Sequence, residues 1–436
     1  MKIYDLTSLL NNDEHNYYCF NGALIQHVDN TYILTYRIAK YNLPIKCHPW
    51  NIWDNGYKKF NNPEVVLKNK YRNYYGSPHQ IPFTRSNTNQ IPTIDEYDST
   101  GLAILKFSDD KFQIVHNFNN IFLNELNQDT RITKICHGKY RLSYNVYENL
   151  GSCKYLKMRT RELAVEEDKL YLSEEIEMFR NKKIIEKNCV YDNKCNILYE
   201  LYPEFIVMTH KDMVQTEFTQ AKKLVGYYGE SNIFISVSTP PIKFGNNYLA
   251  VSHIKVKYKV IKDTYPFKIF YDSIDFNKIQ KHGKFIYFMM LFAYDENYNI
   301  VKVSNPFIPQ LNMCHLPWLL SFAMSICRIG SGYAISYGEG DCRCKILLLS
   351  EEEINTLLRD EFDLGFYFLT NQNKLVHYGY FHELNCGDDM FMKIFQYLHK
   401  KYYPYYCVNY SNNCDEKSDL FVIGGGMLLH PILWNH

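Results

Sequence analysis

The chain has 436 residues, 46% of them hydrophobic, and a formal net charge of +1 at pH 7. That length can bury a large core, and so even a charge balance excludes the basic excess that nucleic-acid binding requires. Thirteen cysteines, scattered and odd in number, do not read as the disulfide framework of a small secreted domain. They read as reduced thiols in an intracellular compartment. The 39 Tyr and 27 Phe, with many Asn and Lys, read as AT-rich codon usage. The first residues show no apolar stretch followed by small residues, so no signal peptide is expected. The apolar runs Phe285 to Tyr294 and Leu316 to Ile326 are too short or too interrupted to span a bilayer. A cytoplasmic location with no membrane partner is the expectation, and the glycosylation sequon Asn409-Tyr410-Ser411 is then idle.

Period-2 alternation predicts strands at Ile33/Thr35, Leu102 to Phe107, Lys111 to Val115, Arg141 to Tyr147 and Lys169 to Leu172. It continues at Phe205 to Thr209, Ile233 to Val237, Tyr248 to Val256, Phe285 to Ala293 and Lys345 to Leu349. Turn signals separate paired strands at Asp29-Asn30, His137-Gly138, Asp192-Asn193, Gly245-Asn246-Asn247 and Gly330-Ser331-Gly332. Helical signals are sparse. Ser350 with Glu353 has the capping-box spacing and opens a short helix through Leu358. After Asp389, the residues Phe391, Ile394, Phe395 and Leu398 form an amphipathic stripe.

The strands recur as a hairpin unit: a polar residue, a strand, a tight turn, and a second strand ending in aromatic and polar groups. The unit runs Asn21 to Arg37, Asp129 to Asn145, Glu186 to Glu200, Thr239 to His253 and, more loosely, Leu320 to Asp341. About five such hairpins predict an all-β, five-bladed β-propeller over residues 1–360 with a small α+β C-terminal extension over 361–436. The proline-rich stretch from Tyr41 to Asp98, with Trp50 and Trp53, reads as a long loop that either lines the pocket or covers surface. Gly424-Gly425-Gly426 is too isolated to define a phosphate loop.

A propeller gathers equivalent strand ends around one axis. The residues just before each first strand and just after each second strand are Asn21, Arg37, Asp129, Arg131, Asn145, Glu186, Lys187, Asn188, His253, Tyr337, Glu339 and Asp341. Turn formation alone accounts for Asn21 and Asn188. Arg37, Arg131, Lys187 and His253 converging on one axis repel unless acids, solvent or an anionic ligand neutralise them, and phosphate suits such a set. Competing structural readings stay open: a strand-capping Asp129, a core His253, and packed residues for Cys342 and Cys344 in place of metal ligands.

The ordered succession Asp129 to Lys134, Glu186-Lys187-Asn188, Thr239 to Lys243 with a hairpin ending in His253, and Tyr337 to Asp341 resembles the β-mannoside phosphorylases. These belong to glycoside hydrolase family 130, whose members are five-bladed propellers. The resemblance covers roughly residues 19–350 and omits the C-terminal extension. It implies inverting phosphorolysis, hydrolysis or transfer of mannosides. It also implies Asp129 as proton donor; Arg131, Lys187 and His253 as phosphate ligands; and Asn21, Arg37, Asn145, Asn188, Tyr337 and Asp341 around the sugar. The sequence departs from the family pattern at Thr130, where proline is usual, and at Cys189, where tryptophan is usual.

Inverting cleavage requires an acid on the leaving oxygen and a nucleophile on the opposite face. A phosphate nucleophile arrives already anionic, so one acid plus cations suffices. A hydrolase needs a second carboxylate, for which Glu339 or Asp341 is available. No cofactor or metal is expected beyond phosphate or a sugar phosphate as co-substrate. A metal-independent glycosyltransferase and a non-catalytic glycan- or protein-binding propeller are the alternatives.

Overall fold

The computed structural model describes residues 1–10, 17–40, 97–118, 121, 127–150, 153–166, 169–178, 187–210, 212–261, 285–309, 320–340, 343–360, 364–369, 374–378, 407–411 and 420–423. The chain opens with strand β1 (Lys2–Asp5) and a single helical turn α1 (Thr7–Leu10). Blade one follows as β2 (Tyr17–Gln26), β3 (Thr31–Lys40), β4 (Tyr97–Ser108) and β5 (Lys111–Phe118), paired in that order. Blade two is β6 (Asn127–Cys136), β7 (Lys139–Leu150) and β8 (Cys153–Glu166), with β9 (Lys169–Leu172) and β10 (Ile176–Glu177) both on β8. Blade three is the short set β11 (Val190–Tyr191), β12 (Ile197–Glu200), β13 (Glu204–Met208) and β14 (Met213–Glu217).

Helix α2 (Thr219–Tyr228) leads to blade four. There β15 (Ile233–Val237) and β16 (Ile242–Phe244) both pair with β17 (Asn247–Lys257), so together they act as one interrupted inner strand. After the turn α3 (Tyr258–Ile261), β18 (Phe285–Tyr294), β19 (Ile300–Val303) and β20 (Phe307–Ile308) complete it. Blade five is β21 (Ser321–Ile329), β22 (Gly332–Glu339) and β23 (Arg343–Ser350), and β1 supplies its outermost strand, Lys2 opposite Leu348. Helix α4 (Glu351–Leu357) and β24 (Tyr367–Phe368), parallel to β20, close this part of the chain. Last come β25 (Lys374–Tyr378), β26 (Cys407–Ser411) and β27 (Leu420–Ile423), a wholly parallel sheet in the order β26-β25-β27. The segments carrying Trp50, Trp53, the 389–398 stripe and Gly424 to Gly426 lie outside the described residues.

Five sheets therefore form a five-bladed propeller. The reason is burial: each blade is apolar on both faces and needs a neighbour on each. Ala23, Ile33 and Leu102 of blade one pack on Ile132, Tyr140 and Leu142 of blade two. Met158 of blade two meets Cys189 ahead of blade three. Phe205 and Val207 join Ala250, Phe288 and Phe292 of blade four. Leu249, Val251 and Leu291 then pack on Tyr333, Ile335 and Leu347 of blade five. Cys327, Ala334 and Ile346 return to Leu24, Tyr32 and Leu34 of blade one, which closes the ring.

Period-2 alternation is visible where a strand is half-exposed. In β15, Ile233, Ile235 and Val237 are buried while Phe234 is exposed. In β21 nearly every residue is buried, as both faces of an inner strand must be. The hairpin at Gly245-Asn246 turns with Gly245 at φ 56°, a left-handed value that a side chain disfavours. The capping box is present: Ser350 Oγ accepts from the Glu353 backbone N–H at 3.1 Å, and the Ser350 N–H donates to Glu353 Oε2 at 2.8 Å. No helix among the described residues is long and apolar enough to cross a membrane.

Candidate active site

The inner strands share a backbone irregularity. In β2 the register shifts between Phe20 and Ala23, and in β6 between Gln128 and Arg131. Asn21 and Asp129 occupy these bulges at φ 49° and 54°, and Asn188, just ahead of β11, has φ 65°. Left-handed backbone is tolerated best, after glycine, by Asn and Asp. The sequence reading placed these residues ahead of the first strands. Asn21 and Asp129 instead lie within them, because β2 begins at Tyr17 and β6 at Asn127.

The bulges bring separate blades together. Asn21 Nδ2 donates to Asp129 Oδ1 at 2.9 Å, and Arg37 Nη1 lies 3.5 Å from the same oxygen. Arg37 is buried with its guanidinium 5.1 Å from the Phe20 ring centroid, while the Asp129 side chain retains 17% exposure. Gly338 is what allows Asn21 this position. A Cβ on Gly338 would lie 1.7 Å from Asn21 Oδ1, so residue 338 can only be glycine while Asn21 keeps its place.

Arg131 is fully buried and reaches three blades. Its Nη1 donates to the Asp129 carbonyl at 2.8 Å, its Nε to the Ser238 carbonyl at 2.6 Å, and its Nη2 to Asn188 Oδ1 at 3.4 Å. The guanidinium also lies 5.3 Å from the Phe322 ring of blade five. Burial depresses its pKa, and the Asp129 charge opposes that shift. His253, also fully buried, has Nδ1 2.9 Å from Ser238 Oγ and meets Phe322 edge-on at 4.8 Å. Among the described residues its Nε2 has no hydrogen-bond partner. Burial, then the charges of Lys255, Arg131 and Lys187, hold the imidazole well below the usual histidine value. His253 is therefore neutral at physiological pH.

The fold thus joins Asn21, Arg37, Asp129, Arg131, Asn188 and His253 through hydrogen bonds and ion pairs, with Ser238 as the link. Lys187 is exposed and close enough for its charge to act on His253. Asn145, opposite Gln128 in β7, is buried, and its Oδ1 has no partner among the described residues. Tyr337 lies apart, in the apolar layer between blades four and five. Burial and then Glu339 and Asp5 push its hydroxyl well above the ordinary tyrosine value. Glu339 is buried against Lys345, Nζ to Oε2 2.6 Å. Glu186 and Asp341 lie outside the described residues.

Arg159 and Arg161 face Glu175 and Glu177 in blade two, which supply their countercharge. Sequence reasoning missed Ser238, Phe322, Gly338 and Lys255. Only Lys255 left a signal, since it shares a strand face with His253 two residues earlier.

Neither a protein-family model nor a curated protein matches this chain. Solved structures similar to it include a β-1,2-mannobiose phosphorylase from Listeria innocua, at 12% identity, 82% of this chain, 99% of that one and a TM-score of 0.46. They also include a glycosyl hydrolase from Bacteroides ovatus, at 11% identity, 80% and 89% coverage and a TM-score of 0.42. A GDP-Man-dependent mannosyltransferase from Leishmania mexicana is similar at 11% identity, 80% and 89% coverage and a TM-score of 0.39. Mannoside phosphorylases, which the sequence resembles, are thus among these structures.

Proposed function

We propose that this chain is a carbohydrate-active enzyme that breaks or forms a mannosidic or similar hexosidic bond at the propeller axis, by inverting phosphorolysis or its reverse. One observation carries the reading: a partly exposed carboxylate, Asp129, is oriented by Asn21 and Arg37, and Arg131 joins the Asp129 main chain through Ser238 to a buried, neutral His253, one nitrogen of which has no partner among the described residues. Asp129 gives its proton to the leaving glycosidic oxygen, directly or through a sugar hydroxyl. A phosphate oxygen attacks the anomeric carbon from the opposite face as that C–O bond breaks. Lys187 and His253 hold the phosphate, with the Arg131 charge behind them. Asn21, Arg37, Asn145 and Asn188 surround the sugar.

Water as nucleophile would need a second free carboxylate. Of the two candidates for that role, Glu339 is committed to Lys345.

The test incubates the protein with manno-oligosaccharides, with and without phosphate, and with mannose 1-phosphate plus acceptors. Phosphate-dependent sugar-phosphate release is expected, and Asp129→Asn should slow it by about 10²–10⁴-fold. Undiminished turnover in that variant refutes the assignment of the acid. Phosphate-independent release would support the hydrolase instead.

A further inference from the structure

We propose that Thr100 is a positioning residue for Asp129: its hydroxyl, on blade one, holds Thr130 and through it the β6 bulge that carries the carboxylate. The proposal deepens the proposed function and rests on Asp129 being the acid there.

The bulge is the part of β6 that its own blade holds least. Gln128 pairs with Asn145 and Arg131 with Ser143, so Asp129 and Thr130 together face only Tyr144 of β7. Two residues opposite one disrupt the ladder locally. Asp129 also has φ 54°, in the left-handed region that favours glycine. Backbone of this kind keeps its shape only where its surroundings impose it.

Blade one imposes it. Across β3 and β4 the register sets Arg37 opposite Thr100, Thr35 opposite Leu102 and Ile33 opposite Ile104. Alternate residues share a face, so all six lie on the side of blade one that meets blade two. That side is apolar at Ile33, Leu102 and Ile104 and turns polar beside the bulge. Arg37 Nη1 lies 3.5 Å from Asp129 Oδ1. Thr35 Oγ1 lies 3.1 Å from the Thr130 carbonyl, with the Ala23 carbonyl at 3.5 Å as the weaker competitor for its proton.

Thr100 makes the closest of these contacts, Oγ1 to Thr130 Oγ1 at 2.6 Å, and the same Oγ1 meets Asn127 Oδ1. One hydroxyl therefore grips β6 on either side of Asp129. A threonine hydroxyl both donates and accepts, so the link between Thr100 and Thr130 stands whichever of the two gives its proton. Thr100 is itself fixed, since its carbonyl accepts from the Ile121 N–H at 2.9 Å. Thr100, Thr130 and Asn127 are all buried. Valine would fill the space of Thr100 with no hydroxyl to satisfy, so packing alone does not call for threonine there.

The test begins with amide hydrogen exchange of the full chain, without substrate. In Thr100→Val the amides from Asn127 to Arg131 should exchange about tenfold faster, as loss of one hydrogen bond allows, with β17 of blade four unchanged. Thr100→Ser, which keeps the hydroxyl, should exchange like the wild type. Thr130→Val removes the other end of the link and should match Thr100→Val, and the double variant should go no further than either.

With manno-oligosaccharide and phosphate, Thr100→Val should lower kcat about tenfold and leave the phosphate KM within about twofold, because a misplaced acid slows the step itself. Unchanged exchange from Asn127 to Arg131 in a valine variant overturns the proposal, as does a rise shared equally by β17. A raised phosphate KM with unchanged kcat overturns it too. If neither valine variant folds, Thr100→Ser decides: faster exchange across the bulge despite the retained hydroxyl overturns the proposal. A wild type without glycan turnover would refute the proposed function instead, and the exchange data would still judge the hold on the bulge.

Discussion

Replacing Gly338 by alanine tests whether the propeller ring is shaped around the Asn21–Asp129 contact. The new Cβ would lie 1.7 Å from Asn21 Oδ1, 2.8 Å from its Cγ and 3.3 Å from its Cα. Rotating the amide away removes its hydrogen bond to Asp129; holding it in place forces β22 outward. Overpacking of this kind costs about 1–3 kcal/mol. Losing a hydrogen bond to a charged group, the other route, costs about 1.5–3 kcal/mol. With an unfolding entropy of about 2.1 cal/mol/K per residue, about 350 propeller residues give roughly 0.7 kcal/mol/K. Either route, at about 1–3 kcal/mol, then lowers Tm by about 1.5–4 °C.

Calorimetry of Gly338→Ala and of the double variant Asn21→Gly/Gly338→Ala separates the causes. The second change removes the obstructing amide and places glycine at φ 49°, so most of the lost Tm should return. Turnover should not return, because Asp129 has lost its amide donor. If Gly338→Ala melts within about 1 °C of the wild type, or if the double variant is no more stable than the single one, the packing account is wrong.

Two further outcomes concern buried charge. His253 is neutral in the folded chain, whereas in the unfolded chain it protonates below its usual value of about 6.5. The unfolded state then binds more protons, so this contribution is intact above that pH and fades on acidification, by at most about 1.4 kcal/mol per pH unit. Denaturant titrations from pH 7 to 5 should show a shallower loss of stability in His253→Gln than in the wild type; equal slopes would contradict a neutral buried imidazole. Lys345→Met removes the 2.6 Å partner of Glu339, whose side chain is 4% exposed, and leaves Arg343 at 4.0 Å, so it should cost up to about 3–5 kcal/mol. Pairing it with Glu339→Gln should recover much of that loss, as a double-mutant cycle would read.

The ring was legible because its hairpins announce themselves. Alternation marked β9 and β15 to the residue, and Gly245-Asn246 marked the turn before β17. Helix α2 escaped because no side chain caps it at Phe218 and its buried residues are only Ala221, Leu224 and Val225. Asn21 and Asp129 could be singled out by residue type. Their bulges could not, since a register shift leaves alternation on either side intact. Gly338 and Ser238 were invisible for a related reason: each matters through what a distant blade places beside it. Position in sequence carries no trace of such an encounter.

Blade five borrows its outer strand from the start of the chain. During synthesis at about 5–20 residues per second, Lys2 to Asp5 emerge tens of seconds before Arg343 to Ser350 exist to receive them. For that interval the nascent polypeptide carries an unmatched strand at its head and a ring open at one seam. Such an edge invites pairing with another chain. The clasp closes the ring only once blade five has been made, so production in a host should hinge on how well that waiting strand is shielded.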